Sequence, residues 1–199
     1  MEVNFKSRIN FVNINEFKNK ITNCHNFVPY GQDAPLCIYA HDFFTEEIRT
    51  CTAGGITDAQ NRAIGFHIFD SFSTADAMDT IKKTLTNASN FNNARGLLIG
   101  GKSLQYRNYS LPIFKSIKEA LSNKIQNLSI FEQHRDKFAE SFYHYNLNND
   151  TWTICTRYLR ALFQDYIDIQ TPEQLKNAFK YIKIADGDEL FINKERVEL

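Results

Sequence analysis

What this chain lacks sets its first limits. Its 23 lysines and arginines are matched by 23 aspartates and glutamates, leaving no formal net charge, and no block of like charges stands out. A general electrostatic affinity for nucleic acid or for an anionic membrane is therefore not expected. No apolar run approaches the roughly 20 residues that a membrane-spanning helix needs. The opening stretch MEVNFKSRINFVNINEFKNK has no apolar core of the signal-peptide kind, so export through a cleaved signal is not expected. The four cysteines, Cys24, Cys37, Cys51 and Cys155, form no CxxC pair and are sparse for this length, a pattern of reduced thiols rather than a disulfide framework. A phosphate loop is absent too, because LLIGGKS lacks the G-x-x-x-x-G-K-[ST] spacing.

What is there is a core. With 43% hydrophobic and 14% aromatic residues among 199, the chain can bury enough apolar surface for one main domain. Asparagine clusters such as NASNFNN and NLNND are interrupted by apolar residues and supply turns and caps. Residues 1–30 alternate weakly and end in a loop marked by Pro29, Gly31 and Pro35. Leu36–Ala40 and Ala63–Phe69 read as buried strands. Ser73 and Asp76 make a capping pattern before Met78, Ile81 and Leu85, which recur at helical spacing. Gly96–Leu104 reads as a strand interrupted by a Gly pair, and Pro112–Lys124 as a helix with Phe114, Ile117 and Leu121 on one face. SIFEQHR suggests another strand, and FYHYN with TWTICTRY a hairpin around LNND. PEQLKNAFKYI reads as a helix opened by Thr171-Pro172, and DGDE leads to a short strand. Alternating elements followed by consecutive strands predict a mixed α/β or α+β domain. The aromatic tail, with Leu162, Phe163, Tyr166, Phe179, Tyr181 and Phe191, reads as a packed extension.

Chemistry needs more than a core. Cys51 lies in a polar stretch, His67 on the following strand, and a chain reversal near Gly54-Gly55 would bring them together. A thiol nucleophile requires such a base, and a third group to orient it. The same two residues also fit a buried structural thiol and a core histidine. His41 and Asp42 would point to opposite faces of a continuing strand and have no second cluster of ligand spacing, so no metal site is expected there. Cys24-His25 reads as a loop pair, His134 and His144 as surface or half-buried, and Cys155 as a small residue in a packed sheet.

Order and spacing carry one further signal. The pieces TEEIRTC, GFHIFDS, LLIGGKSL, IFKSIKEAL and the strand pair ending in WTICT, spanning about Leu36 to Thr156, resemble the CheD chemoreceptor glutamine deamidases. That group is itself similar to the deamidase domains of the cytotoxic necrotizing factors and the Burkholderia lethal factor. The resemblance implies an α+β fold whose β-sandwich core is flanked by helices. It divides the chain into an N-terminal extension (1–35), a Cys-His core (36–157) and a packed C-terminal extension (158–199), together forming one globular unit. It implies Cys51 as nucleophile, His67 as general base, and Thr45 as the residue that positions the histidine. The activity it implies is hydrolysis of a glutamine side-chain amide on a protein substrate through a cysteine thioester, with no cofactor and no metal. A cytoplasmic enzyme, or an effector that enters a host cell without a cleaved signal, would fit. Arg49 and Thr50 depart from the family, which carries a small Gly-Ser or Ser-Gly pair before the cysteine. A binding or adaptor protein on the same fold and another thiol hydrolase are the competing readings. No Gln-x-x-x-x-x-Cys element followed by a helix supports a papain-like peptidase.

Overall fold

The computed structural model of the chain describes residues 6–30, 37–57, 63–70, 73–87, 94–102, 110–134, 139–159 and 165–199. In chain order its elements are β1 (Arg8–Phe11), α1 (Ile14–Ile21), β2 (Cys37–Tyr39), β3 (Asp42–Ile48), β4 (Thr52–Thr57), β5 (Ala63–Ile68) and α2 (Thr74–Asn87). There follow β6 (Arg95–Gly100), α3 (Ser110–Ser122), β7 (Asn127–Gln133), β8 (Ala139–Asn146), a 3-10 turn, β9 (Thr151–Leu159) and β10 (Tyr166–Asp168). The chain closes with α4 (Pro172–Ala178), β11 (Phe179–Lys183), β12 (Glu189–Ile192) and β13 (Glu195–Val197). Two mixed sheets and four helices, mostly strands, give the expected mixed α/β class. Among the described residues no helix is long and apolar enough to cross a membrane.

The strands fall into a seven-stranded sheet, β13-β12-β1-β9-β8-β3 with β10 also on β9, and a six-stranded sheet, β11-β7-β6-β4-β5-β2. Every residue of β4, β5 and β6 is buried, as strands covered on both faces must be. One face of the six-stranded sheet packs on the other sheet, through Ala53, Leu97, Ile99 and Phe131 against Ile9, Phe43, Tyr143, Trp152 and Ile154. Its opposite face carries Phe66, Ile68, Leu98 and Ile130 against Ala77 of α2 and Ile113, Phe114, Ile117 and Leu121 of α3. On the outer face of the seven-stranded sheet, Phe17 of α1 packs on Phe142 and Cys155. The layers therefore run helix, sheet, sheet, helix pair.

Several local expectations change. Gly54 and Gly55 lie inside β4 rather than at a reversal. They are glycines because a Cβ on Gly54 would stand 2.1 Å from the Leu97 carbonyl oxygen, and one on Gly55 2.7 Å from that of Ile64. Residues 58–62, between β4 and β5, lie outside the described residues, as do Gly31, Pro35, Leu36, Leu104, Leu162, Phe163 and the side chains of Ile81 and Leu85. The segment PEQLKNAFKYI is a helix only to Ala178, where the chain extends and pairs with β7; the predicted start is borne out by a capping box between Thr171 and Gln174. Residues 1–30 hold a strand and a helix. β1 lies within the sheet, parallel to both β9 and β12, so a strand from the start of the chain sits between two strands from its C-terminal part.

Candidate functional site

Between β3 and β4 the chain passes directly from one sheet to the other. β3 pairs with β8 in the seven-stranded sheet, whereas β4 pairs with β5 and β6 in the other. Arg49, Thr50 and Cys51 are the crossover. Along β3 the alternation turns Phe43 and Thr45 inward, both fully buried. On the facing sheet β5 pairs Ala53 with His67, and directly opposed residues share a face, so His67 also points between the sheets and is fully buried.

Thr45 and His67 meet there, Oγ1 to Nδ1, at 2.7 Å. The direction of that bond is forced. The Thr45 hydroxyl donates to the Val28 carbonyl at 2.9 Å, and a carbonyl can only accept. Thr45 Oγ1 must then accept from His67 Nδ1–H, which leaves Nε2 as the basic nitrogen. That Nε2 is buried and has no hydrogen-bond partner among the described residues. Val28 is delivered by a segment running beside β3, with Val28 N–H donating to the Phe44 carbonyl at 2.8 Å and Phe44 N–H to that of Asn26 at 3.1 Å.

Cys51 immediately precedes β4, two residues before the partner of His67 and in phase with it, and is 4% exposed. Diagonal neighbours on one face of a sheet are about 7–8 Å apart at Cα, within reach of side chains. Burial, then the Asp70 carboxylate, push its thiol up to about 12, partly offset by a hydrogen bond from the Asp70 backbone. Burial alone holds the His67 imidazole down at about 3. At rest, thiol and imidazole are both neutral.

Four features surround these two residues. The Tyr30 ring covers His67, centroids 4.6 Å apart, while its hydroxyl donates to Glu47 at 3.0 Å. Gly100, at φ +151°, backs the crossover; a Cβ there would lie 2.8 Å from the Cys51 carbonyl oxygen. Arg49 pairs with Glu140, 2.8 Å off, which Arg157 also approaches at 3.1 Å. Lys102, 2% exposed, has its amine held down to about 8 by burial and the neighbouring Arg49 charge. Val28, Tyr30, Glu140 and Lys102 were not among the residues singled out in the sequence. Loop residues such as Val28 and Tyr30 carry no periodic signal, and Glu140 and Lys102 are defined by partners distant in the chain.

The remaining candidates separate. Cys155 is fully buried in β9, and burial beside Asp168 pushes its thiol up to about 12. His134 is half-buried and His41 exposed. His144, expected at or near the surface, is instead 5% exposed, and it contacts Asp42. Cys24 lies beside them while its sequence neighbour His25 is exposed.

No family model and no curated protein matches the chain. Among solved structures it is similar to the C-terminal domain of CNFy from Yersinia pseudotuberculosis, at 12% sequence identity and a TM-score of 0.42. The match covers 70% of this chain and 58% of that one, so the chain spans less than two thirds of that neighbour's length.

Proposed function

We propose that the chain is a protein-glutamine deamidase of the CheD-like and necrotizing-factor-like kind, with Cys51 as nucleophile, His67 as general base and Thr45 as the positioning residue. One observation carries this reading: the Val28–Thr45–His67 hydrogen-bond chain, which fixes the tautomer and leaves a buried basic Nε2 on β5, the strand paired with the β4 that Cys51 precedes. A core histidine would ordinarily have both nitrogens satisfied, since an orphaned buried polar atom costs about 1–3 kcal/mol.

In the proposed reaction His67 Nε2 takes the Cys51 proton as Sγ bonds to the carboxamide carbon of a glutamine side chain. The imidazolium returns that proton to the departing nitrogen and ammonia leaves a thioester. Water, giving a proton to Nε2, then attacks the thioester carbon; glutamate is released and the proton restores the thiol. Burial favours the neutral form of both groups at rest, so in this reaction the thiol becomes nucleophilic as its proton passes to Nε2.

To test it, candidate protein substrates are incubated with wild type and Cys51→Ser, and ammonia release and intact mass are followed. Wild type should release ammonia with the mass gain of an amide-to-acid change while Cys51→Ser does neither. Equal modification by both would overturn the reading.

A second reading, a non-catalytic protein-binding domain, is favoured by the Tyr30 ring over His67 and the 4% exposure of Cys51. It predicts a partner retained by wild type and Cys51→Ser alike, unchanged in mass after prolonged incubation with either.

A further inference from the structure

A second group of reactive side chains lies at the far end of β3. Cys24 follows α1, Asp42 opens β3, and His144 lies on β8 opposite Phe44. Their ligand atoms, one thiol sulfur, one carboxylate oxygen and one imidazole nitrogen, all lie within 4.8 Å of one another. Cys24 and His144 are 8% and 5% exposed, whereas the Asp42 side chain is 37% exposed, so the group is walled on two sides and open at the third. His144 Nε2 meets Asp42 Oδ1 directly.

We propose that Cys24, Asp42 and His144 form a zinc site. Sulfur, nitrogen and oxygen together are a donor set that Zn²⁺ accepts, whereas Ca²⁺ and Mg²⁺ require oxygen alone. Donors around a tetrahedral zinc stand roughly 3.3–3.8 Å apart, from bonds of about 2.0–2.3 Å. Side-chain adjustments of an ångström or so reach that spacing, the His144–Asp42 contact opening to admit the ion. Cys24 Sγ binds as thiolate, its proton passing to solvent, and the open side leaves the fourth position to water.

Such an ion would clip the segment after α1 to the β3–β8 pair. That segment is already laid along β3 by Asn26, whose amide donates to the Asp42 carbonyl at 2.8 Å. It goes on to carry Val28 to Thr45 and Tyr30 to His67. Zinc binding stands independently of whether Cys51 is catalytic.

The test uses the full chain, stripped with chelator and titrated with Zn²⁺ against a competing chelator, and separately with Co²⁺ followed by absorbance. One ion per chain and a thiolate-to-cobalt charge-transfer band are expected. Cys24→Ser and Asp42→Asn should each raise the Kd more than about a hundredfold, since even changes behind the ligands cost about 10–100-fold. Cys51→Ser should bind as wild type does. A cobalt spectrum without the thiolate band overturns the proposal, as does affinity that falls in Cys51→Ser but not in Cys24→Ser or Asp42→Asn. Asp42 is half-exposed, so that variant carries the test if Cys24→Ser fails to fold.

Discussion

Thr45 holds His67 through a bond whose direction is dictated by a third residue. Thr45→Val keeps the shape but strands His67 Nδ1–H and the Val28 carbonyl. With about 1–3 kcal/mol for each unsatisfied buried group, urea unfolding should show a loss of at least about 2 kcal/mol. The proposed deamidation should fall with it if Thr45 positions the base, and Thr45→Ser should restore both. The same imidazole makes stability depend on pH. Its folded pKa is about 3 against an ordinary 6.5, so as pH falls the unfolded chain takes up this proton first. The contribution is complete above about pH 6.5 and is lost on descending toward 3. At about 1.4 kcal/mol per unit, roughly 2 kcal/mol should be lost by pH 5. His144, also lowered by burial, adds in the same direction, so urea midpoints at pH 7 and 5 should converge partly, not fully, in His67→Asn.

Glycines in β4 and β6 decide how closely the elements approach. Gly54→Ala would place its Cβ 2.1 Å from the Leu97 carbonyl, whereas Gly96→Ala meets its nearest atoms at 3.0 Å. Thermal melts should rank Gly54→Ala as the more damaging, with a loss of about 3 kcal/mol or more from overpacking. Gly100→Ala presses on the Cys51 carbonyl at a positive φ, and it should lower deamidation more than stability if Cys51 is the nucleophile. These elements were unequally legible in the sequence. β5, β6, α2 and α3 follow from continuous apolar runs or helical spacing. β3 was obscured because Thr45 is buried while the adjacent Phe44 is only half-buried, the reverse of their hydropathies. β4 was obscured because its glycines imitate a turn.

Across the whole molecule the buried ion pair between Arg95 of β6 and Asp188, just before β12, ties the two sheets together. Asp188 also accepts from Ser129 Oγ at 2.8 Å and from the Ser7 backbone at 3.2 Å, joining residues near both ends of the chain to the six-stranded sheet. Removing one partner of a buried pair leaves the other charge uncompensated, at a cost of about 3–5 kcal/mol. Asp188→Ala should therefore lower the urea midpoint by that equivalent. The Asp188→Ala, Arg95→Met double variant should recover much of the loss, because no buried charge is then stranded.

By itself the sequence determined the mixed class, the apolar strands and helices, and the residues with the chemistry to form a site, because periodicity and residue type are local properties. Cys51 and His67 could be singled out that way, whereas Thr45 was reached only through the family resemblance. The tertiary structure alone decided that Thr45 and His67 face each other from different sheets, and that the loop residues Val28 and Tyr30 complete their surroundings. It also brought Cys24 and Asp42 to His144. The physical reason is that hydrogen-bond direction, burial and ligand spacing depend on which segments are packed side by side. Here those segments come from separate strands and loops, and no local pattern records their meeting.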